Sequence, residues 1–152
     1  MVIADFLSPS NVMIDVQAAD KTQLLKDLSK RAAASVKLDG DKVSKAILQR
    51  ETLGSTGTGG GVAIPHARFP DLKKPFGILA RLKKAIEFEA IDSKPVDVVF
   101  LLLLPGTAES AQLNALAGVA RILRDAAITA NIRRANDGAQ IYRAIVTPST
   151  ET

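Results

Sequence analysis

His66 is the only histidine in the chain, and it directly follows proline in "GTGGGVAIPHAR" (57–68). With an ordinary pKa near ~6.5, its imidazole is mostly neutral at pH 7 and can serve as a nucleophile. Gly59, Gly60 and Gly61 stand just before it, after Gly57. Successive glycines accept positive φ and can turn several N–H groups into one concavity, a nest for a phosphoryl or carboxylate group. Arg50 and Arg68 flank the loop in sequence, and an arginine fork matches phosphate oxygens. Pro65 fixes φ immediately before the imidazole. Nucleophile, anion nest and arginine charge are what phosphoryl transfer requires, because that chemistry is mostly positioning and charge stabilisation. The same residues also read as a plain glycine hairpin beside a buried or surface histidine, and the residues alone leave both readings open.

Nucleotide-phosphate motifs fail here. Gly54 and Gly59 have the spacing of a Walker A loop, but Gly60 stands where its lysine belongs and Gly61 where its hydroxyl belongs. The dinucleotide pattern fails as well: from Gly57 and Gly59, its third glycine position holds Val62. "VAIPH" then continues as strand or turn, not as the helix whose N-terminus would hold a phosphate.

The surrounding chain is 152 residues long, enough for one domain with one real core. Its 47% hydrophobic and 24% charged residues are an ordinary globular balance. Cysteine is absent, which removes disulfides, thiolate nucleophiles and sulfur-ligated zinc. With one histidine, any zinc or copper site would rest on carboxylates, so no metal is expected. The net charge is +4, but lysines and arginines are scattered among acids, and stacking aromatics are few. Nucleic acid is therefore not the expected partner. The N-terminus lacks a basic leader, and the longest apolar run, "VVFLLLL" (98–104), is too short to span a bilayer. A cytoplasmic protein without membrane insertion is expected.

The elements that must position His66 follow from periodicity. "NVMIDV" (11–16) alternates as a half-buried strand, as do "FGILARL" (76–82) and "IEFEAID" (86–92). "VDVVFLLLLP" (96–105) is a continuous apolar run, the mark of a central strand covered on both faces. Asp20 and Gln23 resemble a capping box ahead of a helix carrying Leu24, Leu25, Leu28 and Ala32 on one face. A second helix starts near Asp41, with Val43, Ile47 and Leu48 inward. After the central strand come a helix through Leu113, Leu116, Ala120 and Leu123, then two shorter ones, the last with Asp137 and Gln140 as a capping pair. The sum is a single α/β domain over residues 1–152, a mixed sheet with helices on both faces, its ordered core at about 5–146 and its tail frayed.

"LQRETLGSTGTGGGVAIPHAR" together with "FEAIDSKPVDVVFLLLLP" resembles the phosphotransferase-system IIA domains of the fructose–mannitol type, and most of all their nitrogen-regulatory branch. The likeness runs from "LSPSNVMIDV" to "IYRAI". It implies that His66 accepts a phosphoryl group on Nε2 from a phosphohistidine of a small HPr-like carrier protein, with Arg50 beside it holding the phosphoryl oxygens. It also implies a site in a shallow surface depression, and no metal or other cofactor, since the phosphate arrives activated. Ser55 and Thr56 are candidate hydroxyl contacts, though residues of these types more often form turns. Many members of the family carry a second histidine on the helix after the central strand. Here that stretch reads "AQLNAL", with Gln112 and Asn114 where histidines would be expected. Gln112 can offer an amide hydrogen bond but cannot become a cation.

Three functions follow from the resemblance. The first is a regulatory phosphocarrier whose modified and unmodified forms bind different targets; no transporter-like segment follows residue 146, which favours it. The second is a sugar-specific IIA component that passes phosphate to a IIB protein. The third is a binding module whose site is inactive, a reading to which only Gln112 leans.

Overall fold

The computed structural model describes residues 3–106 and the backbone of 109–146, with side chains from Asn114 onward in that second stretch. The expected fraying of 147–152 and the side chain of Gln112 lie outside the described residues. Two short 3-10 turns (Ile3–Asp5 and Pro9–Asn11) lead into β1 (Val12–Val16). Helices α1 (Lys21–Val36) and α2 (Gly40–Thr52) follow, then β2 (Gly57–Gly59), β3 (Val62–Ala63) and β4 (His66–Phe69). The long strands β5 (Phe76–Ile86) and β6 (Val96–Pro105) precede α3 (Glu109–Leu123), α4 (Ala126–Arg134) and α5 (Gly138–Val146).

The six strands form one mixed sheet. Its order is β1-β5-β6-β3-β2, with β4 also paired to β6. β5 and β6 are antiparallel, β1 runs parallel to β5, and both β3 and β4 run parallel to β6. Strand β6 is the spine because its side chains supply both cores in alternation. Val99, Leu101 and Leu103 pack against α1 and α2 with Leu24, Leu28, Val43 and Ile47. Val98, Phe100, Leu102 and Leu104 pack on the opposite face with Val119, Ile128, Ile132, Ile141 and Ile145 from α3, α4 and α5. A strand apolar at every position thus belongs at the centre, and the expected helices lie on both faces.

Local chemistry starts the helices where the sequence indicates. Asp20 caps α1 by accepting Gln23 N–H at 2.8 Å, and Gln23 Oε1 reaches back to Ala19 N–H at 2.8 Å. The same reciprocal arrangement opens α5: Asp137 accepts Gln140 N–H at 2.8 Å, and Gln140 accepts Asn136 N–H at 2.8 Å. Asp39 and Asp125 cap α2 and α4 in turn. One expected strand, over 86–92, does not form. β5 ends at Ile86, and although Phe88 and Ala90 are buried as "IEFEAID" suggests, Glu89 adopts φ 57° and breaks the extended chain. Beyond the break, Ile91 N–H turns back to the Gly57 carbonyl at 3.1 Å.

Candidate functional site

β3 and β4 lie along the same edge of β6: Ala63 is opposite Val99 and His66 opposite Leu102. The break between them is Ile64-Pro65. Proline has no N–H to give a ladder, so pairing must lapse there. Its carbonyl still takes Leu102 N–H at 2.9 Å, which restores register at once. The interruption frees the Ile64 carbonyl from the sheet, and His66 Nδ1 meets it at 2.9 Å. A carbonyl can only accept, so Nδ1 carries the proton and the lone pair of the neutral ring sits on Nε2.

Around the half-buried imidazole lies a depression of about 640 Å³ between the last turns of α2, strand β4, the end of β6 and α3. His66 and Arg68, two apart on β4, both line it, as do Arg50 and Leu53 from α2 and Leu104 and Leu116. Arg50 Nη1 is anchored on the Gly54 carbonyl at 3.0 Å, which fixes the guanidinium at the rim. Burial is the main influence on His66 and lowers its pKa, with the charge of Arg50 acting in the same direction. The Ile64 carbonyl and the charge of Glu51 oppose the shift. The balance keeps the ring neutral at pH 7, as a nucleophile must be. The structure therefore brings together His66, Arg50 and Arg68.

The remaining expected residues are placed elsewhere. Gly59, Gly60 and Gly61 have φ of 100°, 68° and 80°, as a nest would need, but they turn the β2–β3 hairpin and do not line the depression around His66. The protein itself takes both backbone polar groups of Gly60. Gly60 N–H donates to Asp92 Oδ2 at 2.9 Å, and Gly60 C=O accepts from Arg133 Nη2 at 2.7 Å. Arg133 is in turn clamped by Asp97, 2.8 Å away, so the loop is tied to α4 and to the start of β6. The nest reading is corrected on this ground: the glycines do not line the depression that holds His66, and the Gly60 N–H is already given to Asp92. Ser55 Oγ donates to the Phe88 carbonyl at 2.9 Å and accepts Gly57 N–H, holding a turn. Thr56 is buried on Glu51. Asn114 is exposed on α3.

Gly61 gives a direct check of that correction. A Cβ there would meet Arg133 Nη2 at 2.5 Å and Asp97 Oδ1 at 3.0 Å, on backbone of φ 80°. Gly61→Ala is expected to cost about 2 kcal/mol, mostly from the left-handed backbone. At this chain length that lowers Tm by roughly 4–8 °C. Phosphoryl uptake by the folded variant is expected to be unchanged, which calorimetry beside an uptake assay would establish.

Sequence reasoning passed over Glu51. It shares a helical face with Val43 and Ile47, four residues apart each time, and α2 buries all three. A carboxylate on that stripe needs partners, and it has them in Lys21 Nζ at 2.9 Å and in Thr56. The misplaced charge on an apolar face was the signal available.

The fold is that of a phosphotransferase-system IIA domain. The chain belongs to the family described as phosphoenolpyruvate-dependent sugar phosphotransferase system, EIIA 2, whose model matches residues 5–147. Within it, the chain is similar to the nitrogen regulatory protein of Bradyrhizobium diazoefficiens, 42% identical over 148 residues and covering 97% of both chains. The nitrogen regulatory protein of Escherichia coli is 37% identical over 131 residues, 86% of this chain and 80% of that one. The crystal structure of nitrogen regulatory protein IIA-Ntr from Neisseria meningitidis superposes with a TM-score of 0.90 at 29% identity, covering 94% of this chain and 98% of the other. Among the described residues no helix is long and apolar enough to cross a membrane.

Proposed function

We propose that the protein takes a phosphoryl group onto Nε2 of His66 from a phosphohistidine of an HPr-like carrier, and that its phosphorylation state regulates target proteins. The observation that carries this reading is the Nδ1–H···O=C bond to Ile64 at 2.9 Å, which leaves the outward nitrogen with its lone pair. In the transfer, that lone pair forms a bond to the carrier's phosphorus while the carrier's P–N bond breaks. The carrier's imidazole keeps the departing electron pair. The proton stays on Nδ1 and is donated to the Ile64 carbonyl, which disperses the positive charge that the ring acquires. Arg50 and Arg68 face the incoming phosphoryl oxygens with guanidinium donors. Activation comes with the phosphoryl group, so the residues need only bind, orient and neutralise.

Regulation is supported by the names of the two curated relatives given above, both nitrogen regulatory proteins. Phosphorylation brings roughly −1.5 to −2 charges into a depression otherwise lined by two arginines, Gln49, Thr52 and apolar side chains. A protein seated against the neutral ring meets a reversed potential after transfer. The test is reconstitution with phosphoenolpyruvate, the upstream enzyme and the carrier, followed by addition of a purified IIB protein. Uptake of one phosphoryl group that is retained when IIB is added supports the regulator. Rapid passage to IIB assigns the protein to sugar transport instead, and absence of uptake from any such carrier makes the site a binding surface only.

The acid limb of the transfer rate follows from the lowered pKa of His66. The nucleophile is lost only on protonation, so the rate is expected to hold through pH ~6.5, the ordinary histidine value, and to fall below it. Stability has the same sign. The unfolded chain protonates His66 near pH ~6.5 and the folded one lower, so this contribution is complete above that pH and declines as pH falls toward the folded value. Because His66 is the chain's single imidazole, one NMR titration reports the value without assignment.

A further inference from the structure

Glu51 has no place in the depression, yet its contacts lead back to the imidazole. One carboxylate oxygen accepts Thr56 N–H at 3.0 Å and pairs with Lys21 Nζ at 2.9 Å. The other accepts the Thr56 hydroxyl. Thr56 is thereby held at both its amide and its side chain. Its own carbonyl accepts Ile64 N–H at 3.0 Å. Ile64 is thus fixed through its N–H, while its carbonyl receives His66 Nδ1–H at 2.9 Å. Lys21 completes the foundation: it donates to the Phe88 carbonyl at 3.2 Å and lies 4.5 Å over the Phe88 ring.

A carboxylate with a side chain 5% exposed is costly to keep in the interior, and an apolar residue would pack there as Val43 and Ile47 do. We propose that Glu51 is a positioning residue for His66: it fixes Thr56, Thr56 fixes Ile64, and the Ile64 carbonyl then keeps the proton on Nδ1 and the lone pair on Nε2. The inference rests on His66 being the phosphoryl acceptor. Free histidine prefers the opposite tautomer, so the arrangement has to be imposed, and Pro65 alone cannot impose it. Proline sets the backbone before the ring but makes no contact with the Ile64 N–H.

The experiment compares Glu51→Gln and Thr56→Val with the native protein by ¹⁵N NMR of the His66 ring and by transfer kinetics. Glutamine retains the size but replaces one acceptor oxygen with a donor and leaves Lys21 with only the exposed Glu89, 3.5 Å away, as a charge partner. Valine retains the amide bond to Glu51 and loses only the hydroxyl. The native ring is expected to show one tautomer, protonated on Nδ1. Glu51→Gln is expected to populate both tautomers and to lower the transfer rate about tenfold, as small misplacements at a reacting group do. KM for the carrier stays unchanged, because Glu51 is beyond the reach of a docked protein. Thr56→Val moves both readouts in the same direction by less. A lowered melting temperature with the native tautomer and native kcat in the folded variants would assign Glu51 to stability alone and overturn the inference. If Glu51→Gln does not fold, Thr56→Val decides by the same spectra. Absence of phosphoryl uptake by the native protein would defeat the proposed function, while the tautomer comparison would still decide the role of Glu51.

Discussion

His66→Ala is expected to fold normally and to take up no phosphoryl group from the carrier. No second imidazole can substitute, because the chain has none, and cysteine is absent as an alternative nucleophile. The fold tolerates the change for reasons visible at the site. The β4 register is set by backbone pairing of His66, Ala67, Arg68 and Phe69 with β6, and none of it uses the imidazole. The half-buried ring contributes one hydrogen bond to Ile64, worth about 1 kcal/mol net. Intact mass after incubation with phosphoenolpyruvate, enzyme and carrier reads the first part, and circular dichroism the second. Phosphate on the alanine variant would place the acceptor elsewhere.

Arg50→Ala is expected to lower kcat/KM for phosphoryl transfer by about 10²-fold, the scale set by removing one preorganised donor aimed at developing charge. The guanidinium has two tasks that a single donor cannot combine. Nη1 holds the Gly54 carbonyl at 3.0 Å, and the residue also lines the depression beside His66. Arg50→Lys is therefore expected to recover little, since an ammonium is a point charge without a rigid fork. The pH profile supplies an independent reading. The charge of Arg50 helps to lower the His66 pKa, so its removal lets that value rise, and the acid limb of the rate shifts to higher pH. A near-native rate with an unshifted limb would remove Arg50 from the site.

Much of the fold was legible because the strongest signals are local or periodic. Continuous apolarity over 96–105 identified the central strand, since a strand covered on both faces has no polar side to show. Aspartate caps three residues ahead of glutamine marked two helix starts. The alternation of "IEFEAID" misled: Phe88 and Ala90 do point inward, but the positive φ at Glu89 is a backbone property that alternation does not report. His66, Arg50 and Arg68 were legible by chemistry and are brought together by α2 and β4. The glycine run was misread in purpose though not in conformation. Positive φ was correctly expected at Gly59, Gly60 and Gly61, but the loop's partners are Asp92, more than thirty residues away, on the Gly60 N–H, and Arg133, farther still, on its carbonyl. Pairings across such separations depend on topology, and no local pattern contains them. Glu51 falls between these cases, visible as a charge on an apolar helical stripe, with partners that only the tertiary fold reveals.

The strand break at Ile64-Pro65 leaves the Ile64 carbonyl free to accept Nδ1–H, and with it Nε2 as the proposed phosphoryl acceptor. The most direct measurement is ³¹P and ¹⁵N NMR of the protein phosphorylated by phosphoenolpyruvate, the upstream enzyme and the HPr-like carrier. A single phosphohistidine with phosphorus on Nε2 and the proton retained on Nδ1 is the predicted result. Phosphorus on Nδ1 would mean that the ring must leave the Ile64 carbonyl to react and that Nε2 is not the acceptor.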